Sequence, residues 1–293
     1  MALGPPSIAL ATYAALPTLA DDDRLLVDAL AQRGARAVPA VWDDATVDWR
    51  AFDAVVIRSC WDYHLRLAEF TAWLDRLQAL GVVVCNPPDV LRWNADKTYL
   101  RALAASGVRV VPTAWVPRGD QRTLRHVLQS AGWDDAVVKP TISASAWQTW
   151  RTSRAAADDH EPRYRALVAH GDALVQPFVD AVVRDGEWSI VFLGGAFSHA
   201  VRKRPRDGDF RVQSEHGGSA DAEAPPPHVL DAAARALGAS PAGGRSLYAR
   251  VDGCMVDGAF QLMELELLEP SLFLAADPAA AGRLADALLA RFE

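Results

Sequence analysis

Short apolar runs alternate with amphipathic stretches along the first third of the chain. The run IALATY is followed by DDDRLLVDALAQRG, which opens with acidic residues and ends at a glycine, as helices commonly do. The runs AVPAVW, FDAVVIRS and VVVCNPP come next, with the helical pattern LAEFTAWLDRLQALG before the last of them. This alternation predicts the strands and helices of a parallel, doubly wound α/β sheet.

A polar cluster follows one of these predicted strands. Arg58, Ser59, Trp61 and Asp62 come directly after the apolar run AVVI. Because ligands of parallel sheets bind at the carboxyl ends of the strands, we predict a substrate-binding edge here. Arginine can hold a carboxylate through two hydrogen bonds, so Arg58 is expected to bind a substrate carboxylate. Packing in the core is an equally good interpretation of Trp61.

The pattern changes in the rest of the chain. A helix over NADKTYLRALAASG leads to a strand over VRVVPTAWV, and AVVKP and ALVQPFV predict two further short strands. Two hairpin patterns follow: WSIVFLGGAFSHAVRK, turning at Gly194 and Gly195, and YARVDGCMV with AFQLMELELLEP. Helices are predicted over VLDAAARALG and AAGRLADALLARF. The C-terminal part is therefore expected to be an α+β arrangement built on antiparallel sheet.

Composition narrows the classes of function. The 293 residues carry 30 basic and 37 acidic side chains, and 51% of the residues are hydrophobic. This is the balance of a globular enzyme with two or three structural units. The net charge of −7 disfavours non-specific nucleic-acid binding, and no basic amphipathic segment indicates membrane attachment. The 3 cysteines are far apart and lack metal-binding spacing, which favours a reducing, cytoplasmic location.

Carboxylates are predicted to share one face of the last hairpin. Glu264 and Glu266 alternate with leucines, and Asp252 lies on the partner strand. Acids on one face repel one another unless a cation lies among them, and oxygen ligands of this kind suit Mg²⁺. The alternative is a solvated sheet face on which the acids never meet. Glu269 and Ser271 follow the strand and are assigned to a loop closer to a substrate.

Basic residues elsewhere are candidate phosphate ligands. Lys97 lies at a predicted helix start and Lys139 ends an apolar run, where an unpaired lysine is uncommon. For either lysine alone, a position on the surface is the alternative. The loop FRVQSEHGGS, residues 210–219, contains Arg211 and follows Arg202 and Lys203. Facing an acidic hairpin, it would form a site for an anion–metal complex; by itself it is typical of a flexible loop.

In their order along the chain, these elements resemble the ATP-grasp superfamily. The resemblance runs from NPPDVLRWNADK to EPSLF, and AVRK followed by FRVQSEHGGS is similar to the ribosomal-protein glutamate ligases and bacterial glutathione synthetases. It implies an ATP-grasp fold with a preceding parallel-sheet domain. The predicted domains are a substrate-side domain over residues 1–93, a central nucleotide-lid subdomain over 94–179, and a subdomain with the metal and catalytic site over 180–293.

The resemblance also implies roles for individual residues. Lys97 and Lys139 match the two lysines that contact the nucleotide phosphates, and Arg211 matches the arginine that steadies the transferring phosphoryl group. The metal ligands of the family, expected to hold two Mg²⁺ ions, correspond to Asp252, Glu264 and Glu266. Other expected ATP contacts are Ser143, Ser145, Gln176, Pro177, Phe178, Val179 and Glu187. Arg202 and Lys203 are expected in the catalytic site, and the substrate is expected to contact Arg58, Ser59, Asp62, Glu269 and Ser271, with Arg202 as a second carboxylate-binding arginine.

Three positions depart from the family pattern. The third metal position, commonly asparagine, is Glu266, and the extra charge should still hold magnesium. The loop after the second lysine, commonly rich in glycine, reads PTISASAWQTW. The arginine common after the adenine-binding stretch is replaced by Ser189.

Four motifs give a narrower resemblance. RSCWDY, LRWNADK, FSHAVRK and ELELLEPSLF are similar to an actinobacterial ATP-grasp group that includes the O-ureido-serine cyclo-ligase of D-cycloserine biosynthesis. This implies that ATP activates a carboxylate as an acylphosphate, which a nitrogen of the same small amino-acid-like molecule then attacks. One alternative is a ligase that joins an amino acid to a peptide or small amine. Another is a nucleotide-binding regulator without turnover. A homodimer is compatible with the sequence.

Overall fold

Three sheets organise the chain in the computed structural model, which describes residues 4–212 and 216–292. The first is a parallel sheet in the order β2-β1-β3-β4. Its strands are β1 (Ser7–Thr12), β2 (Arg36–Val41), β3 (Ala54–Ser59) and β4 (Val83–Cys85), and its connecting helices include α1 (Asp21–Ala31) and α2 (Leu67–Ala79). The predicted parallel α/β unit is confirmed.

Both faces of the parallel sheet are covered, which explains why most residues of the central strands β1 and β3 are apolar and buried. On one face, Leu26 and Leu30 of α1 pack with Leu284 of the C-terminal helix α9 (Ala280–Leu289). On the other face, α2 contributes to a cluster of aromatic rings. In that cluster Trp73 lies 5.2 Å from Trp49 between ring centroids.

The second sheet is antiparallel, in the order β5-β8-β6-β7. Its strands are β5 (Ala114–Val116), β6 (Asp135–Pro140), β7 (Trp150–Ser153) and β8 (Ala173–Pro177), and α5 (Leu124–Ala131) and α6 (Ala157–His170) share its core. Helix α5 is capped at its N-terminus by Thr123, whose hydroxyl accepts the His126 N–H, and at its C-terminus by Gly132, which is in the left-handed region. The sequence pattern predicted β6 and β8 but not β7, α5 or α6.

The third sheet is antiparallel, in the order β11-β10-β9-β12-β13. Its strands are β9 (Glu187–Leu193), β10 (Ala196–Arg204), β11 (Ser219–Ala222), β12 (Tyr248–Val256) and β13 (Ala259–Glu266). Both predicted hairpins are present, and the first turns at Gly194 and Gly195, which have φ values of 59° and 83°.

The remaining helices are α3 (Pro88–Asn94), α4 (Tyr99–Ala105), α7 (Ala181–Arg184) and α8 (Pro227–Gly238). Residues of α3, α4 and α8 pack against this sheet in one core.

Buried amides connect the N-terminal unit to the third sheet. The Asn94 side chain donates to Leu265 O at 2.7 Å and accepts from Leu267 N–H at 2.7 Å, so it replaces a neighbouring strand at the end of β13. Asn86 makes the same kind of contact, donating to Leu267 O at 2.7 Å and accepting from Leu247 N–H at 2.6 Å. These bonds fix the end of β13, which carries the acidic residues of the predicted site.

Each sheet lies within one of the three predicted domain ranges, while the boundaries at residues 93 and 179 stay a prediction. Among the described residues, no helix has the length and apolar character needed to cross a membrane.

Candidate active site

A cavity of about 280 Å³ lies where the three sheets meet. Strands β12 and β13 provide its acidic wall, and residues from β6, β8 and the loop after β6 provide the opposite wall. The segment after β3 contributes Trp61 and Tyr63, and the segment after β13 contributes Glu269, Ser271 and Phe273.

The three predicted metal-binding acids meet in this cavity. Asp252 of β12 is paired in register with Glu264 of β13, and Arg250 is paired with Glu266. One carboxylate oxygen from each of the three acids lies within 4.8 Å of the others. This spacing suits oxygen ligands around a small hard cation. The alternative of a sheet face with acids that never meet is therefore wrong.

Basic side chains neutralise the acidic wall in this structure. Arg250 forms ion pairs with Glu266 and, at 2.9 Å, with Asp252. Lys97 Nζ lies 2.8 Å from Glu264 Oε1, and Lys203 Nζ lies 2.6 Å from Glu187 Oε1 and 3.5 Å from Asp252 Oδ1. Arg250 was missed by the sequence interpretation. The available signal was its spacing of two residues from Asp252, which places both side chains on one face of a strand.

Burial and these charges set the protonation of the wall. Burial raises the pKa of Glu266 to about 8, although Arg250 opposes the shift. Burial also disfavours the charged form of Asp252, but Arg250 and Lys203 lower its pKa below the ordinary value. Lys139, buried on the opposite wall, has a lowered pKa because burial outweighs the attraction of Glu264. Added positive charge from a ligand would favour the ionised acids.

The predicted nucleotide contacts line the same cavity. Lys97 donates to Ser143 O at 2.8 Å, which ties the loop after β6 to the acidic wall. The adenine-binding stretch at the end of β8 also faces the cavity, and its Gln176 side chain donates to Thr113 Oγ1 at 3.0 Å. All the residues expected to contact ATP are cavity-lining: Lys97, Lys139, Ser143, Ser145, Gln176, Pro177, Phe178, Val179 and Glu187.

The loop after β6 adopts a backbone that usually requires glycine. Ser145, Ala146 and Gln148 have φ values of 48°, 54° and 51°, in the left-handed region. Glycine would adopt this backbone without steric cost, so the loop stores strain beside the expected phosphate site. Trp147 at the tip contacts His64 of the N-terminal unit, with 5.4 Å between ring centroids.

The second predicted loop brings Arg211 to the cavity. Arg211 forms an ion pair with Asp209 at 2.8 Å and remains about one-third exposed. A Cβ on Gly218 would lie 2.2 Å from Val212 O, so this close backbone approach requires glycine. Residues 213–215 of the predicted loop lie outside the described residues.

The substrate-binding prediction is only partly matched by the structure. Glu269 and Ser271 line the cavity. Arg58 does not: it is 1% exposed, its Nε donates to Asp23 Oδ1 at 2.8 Å and its Nη2 donates to Pro270 O at 2.8 Å. Ser59 donates to Asp23 Oδ2 at 2.6 Å. The expected carboxylate-binding role of Arg58 is corrected, because its charge is buried and already paired.

Asp62 is also outside the cavity. Its carboxylate accepts from Trp42 Nε1 at 2.9 Å and from Arg66 at 2.6 Å. The two residues that do reach the cavity from this segment are aromatic, Trp61 and Tyr63. The core-packing interpretation of Trp61 is therefore wrong, and Tyr63 was missed because nothing in the sequence separates it from the neighbouring core aromatics.

Arg202 is the other residue that the structure does not bring to the cavity. The register of β10 with β9 pairs Lys203 with Glu187 and Arg202 with Trp188, so the two basic side chains point to opposite faces. The Arg202 guanidinium lies 3.6 Å from the Trp188 ring centroid and 3.1 Å from Glu223. Lys203 is in the cavity wall; the catalytic and carboxylate-binding roles expected of Arg202 are corrected to a structural one.

We expect Arg202→Gln to leave kcat/KM within about twofold of the wild-type value, because the side chain reaches no reacting group. Loss of the ring contact and the ion pair should lower the free energy of unfolding by about 1–2 kcal/mol. Steady-state ADP release and urea unfolding measure the two effects. A hundredfold fall in kcat with unchanged stability would return Arg202 to the catalytic site.

A comparison with known proteins identifies the family. The chain is 35% identical over 299 residues to the cycloserine biosynthesis protein DcsG of Streptomyces lavendulae, an alignment that covers 98% of this chain and 99% of that protein. The chain belongs to the DcsG family. Residues 8–86 also match the family model of the N-terminal domain of D-cycloserine synthetase DcsG.

Solved structures agree with this placement in the DcsG family. The crystal structure of D-cycloserine synthetase DcsG superposes with a TM-score of 0.88 at 33% identity, covering 98% of this chain and 100% of that chain. The ATP-grasp ligase PsnB superposes with a TM-score of 0.66 at 18% identity, covering 98% and 99% of the two chains, and has also been solved with Mg and ADP. The predicted ATP-grasp fold is confirmed, and the protein is an ATP-dependent ligase of the DcsG family.

Proposed function

We propose that the protein closes the ring of an O-ureido-serine-like amino acid to give cycloserine, using ATP to activate the carboxylate. The observation that carries the proposal is the arrangement of Asp252, Glu264 and Glu266 opposite Lys139 in one cavity, in a chain of the DcsG family. An acidic metal-binding wall facing basic phosphate ligands is what phosphoryl transfer to a carboxylate requires. Cavity-lining Glu269 and Ser271 support a small polar substrate beside that wall.

The donor set of the acidic wall fits Mg²⁺. Three carboxylates within 4.8 Å offer only oxygen ligands, and their excess of negative charge is balanced here by Lys97, Arg250 and Lys203. We propose that Asp252, Glu264 and Glu266 hold two Mg²⁺ ions. The ions would neutralise charge on the β- and γ-phosphates during transfer. Lys97 would then exchange its contact with Glu264 for the nucleotide.

Basic residues around the cavity would hold the phosphates. Lys97, Lys139 and Arg211 add positive charge where the phosphoryl group moves, an electrostatic role that needs no covalent step. Burial disfavours the charged form of Lys203, but Asp252 and Glu187 raise its pKa above the ordinary value and keep it charged. Arg250 lies between the metal-binding acids and the Ser271 carbonyl, which accepts its Nη1–H at 2.9 Å. It is therefore placed to stabilise charge on an acylphosphate beside Ser271.

The proposed reaction has three steps. A carboxylate oxygen of the substrate attacks the γ-phosphorus, so that an acylphosphate forms and ADP leaves. The ureido nitrogen bonded to oxygen attacks the acyl carbon, loses its proton and expels phosphate, which closes the ring. Hydrolysis of the carbamoyl group consumes one water and releases carbamate, leaving cycloserine. Because both reacting groups belong to one molecule, holding it in a folded conformation contributes much of the rate.

Product analysis tests the proposal. The protein is incubated with ATP, Mg²⁺ and each enantiomer of O-ureido-serine, and ADP release and product mass are measured. We expect ADP release that depends on one enantiomer and a product that has gained no residue and has the mass of cycloserine. A product that has gained an amino acid or amine would indicate an intermolecular ligase. No ADP release with either enantiomer, or with other amino acids, would favour a regulator without turnover.

The proposal also includes a cytoplasmic location and a homodimeric state. Cys60, Cys85 and Cys254 are free and buried, which is compatible with the predicted cytoplasmic location. The homodimer stays a prediction, to be checked by sedimentation of the purified protein.

A further inference from the structure

Glu269 has a carboxylate without a partner inside the cavity. It lies three residues after the end of β13 and lines the same cavity as the metal-binding acids. Among residues 4–212 and 216–292, no side chain or backbone N–H forms a hydrogen bond or ion pair with its carboxylate; the contact at Glu269 goes to its carbonyl, which accepts from Trp61 Nε1 at 3.3 Å. Burial and the nearby Glu266 raise its pKa well above the ordinary value. A carboxylate in this position favours a cation.

The basic residues nearest to Glu269 already have other partners. Lys97 contacts Glu264 and Ser143 O, Arg250 contacts Asp252 and Glu266, and Lys203 contacts Glu187 and Asp252. None of these cations lies within 4.0 Å of the Glu269 carboxylate in the described part of the chain. A cation that pairs directly with the Glu269 carboxylate would therefore come from a ligand.

Side-chain hydrogen bonds hold the backbone around Glu269 in place. Four successive carbonyl oxygens each accept a side-chain hydrogen bond. Leu268 O accepts from Tyr248 Oη at 2.8 Å and Glu269 O accepts from Trp61. Pro270 O accepts from Arg58 at 2.8 Å, and Ser271 O accepts from Arg250 at 2.9 Å. These donors come from β3, its following segment and β12, so the position of Glu269 is fixed while its carboxylate is left free.

The surroundings of Glu269 suit an ammonium group. Trp61, Tyr63 and Phe273 line the same cavity as Glu269, and Trp61 also donates to the Glu269 carbonyl. Aromatic rings attract cations through their negative faces, and a carboxylate adds a charge-assisted hydrogen bond. A phosphate or carboxylate would instead be repelled by Glu269 and by the acids beside it.

We propose that Glu269 binds the α-ammonium group of the amino-acid substrate, and that Arg58 and Trp61 are positioning residues that hold the Glu269 backbone. This inference rests on the proposed function, because it takes the substrate to be an amino acid. The substrate carboxylate is then directed away from Glu269 toward Lys139 and the metal-binding acids, where it is activated. The site selects amino acids over hydroxy acids or simple carboxylic acids.

Glu269→Gln tests the assignment, with O-ureido-serine as the substrate. We expect its KM to rise about 10- to 100-fold, because a charge-assisted hydrogen bond is lost, while the KM for ATP stays within about twofold. An analogue of O-ureido-serine in which hydrogen replaces the α-amino group is tested as a competitive inhibitor of the wild-type protein and of Glu269→Gln. It should bind wild type and Glu269→Gln equally, because it lacks the group that Glu269 recognises.

Glu69→Gln is the matched control, since Glu69 lies on the exposed surface of α2 and its side chain is 64% exposed. It should change none of these constants. An unchanged substrate KM in Glu269→Gln, or a raised Mg²⁺ requirement with unchanged substrate KM, would overturn the ammonium assignment. Failure of the wild-type protein itself to release ADP with O-ureido-serine would instead refute the proposed function, so the two failures are distinguishable.

Discussion

Replacing Glu264 with glutamine is expected to remove nearly all magnesium-dependent ATP turnover while the fold stays intact. Glu264 supplies one of the three carboxylates that lie within 4.8 Å of one another, and an amide is a much weaker magnesium ligand. Loss of one such electrostatic contact should lower kcat by on the order of 10²–10³-fold. The glutamine carbonyl can still accept a hydrogen bond from Lys97, so the free energy of unfolding should change by less than about 1–2 kcal/mol.

ADP release as a function of Mg²⁺ concentration and urea unfolding provide the measurements for Glu264→Gln. Glu69→Gln serves again as the control, because it makes the same chemical change on the exposed face of α2. Normal turnover in Glu264→Gln would show that the metal assignment is wrong. A fully unfolded variant would show that the fold depends on the Lys97–Glu264 ion pair.

The acidic wall was predictable from sequence because it depends on local rules. Alternation along β13 places Glu264 and Glu266 on one face, and the hairpin that joins β12 to β13 brings Asp252 opposite. The parallel sheet and both hairpins were predictable for the same reason, since apolar periodicity and turn residues lie close together in sequence. The ATP-grasp resemblance then supplied roles that the pattern alone does not contain.

The remaining features depend on contacts between distant segments. Arg58 is the last residue but one of β3, near the strand end where substrate residues are typical, but its partner Asp23 lies on α1 and its second partner Pro270 lies beyond β13. The strand β7 is only four residues long, and α6 contains Pro162 and many polar residues, so neither has a strong periodic signal. The position of Arg202 depends on the register of β10 with β9. Neighbouring residues of a strand point to opposite faces, so Lys203 reaches the cavity and Arg202 does not.

We expect Asp23→Asn to lower the free energy of unfolding by about 3–5 kcal/mol, because breaking a buried ion pair leaves an uncompensated charge in the core. Arg58 is 1% exposed and Asp23 is 3% exposed, and their side chains meet at 2.8 Å. Asp23 also accepts the Ser59 hydroxyl, so the substitution disturbs two buried donors. Urea unfolding followed by tryptophan fluorescence gives the value.

Asp21→Asn is the matched control for this prediction. Asp21 lies two residues earlier in the first turn of α1, and its ion pair with Arg24 joins a side chain that is 96% exposed to one that is 53% exposed. Solvent screens such a pair, so the control should change the free energy of unfolding by less than about 1 kcal/mol. Equal small effects in both variants would mean that Arg58 does not need Asp23 to be buried, and the substrate-binding role of Arg58 would be open again. A large effect in Asp23→Asn alone assigns Arg58 to the core, where its contact with Pro270 O holds the segment that carries Glu269.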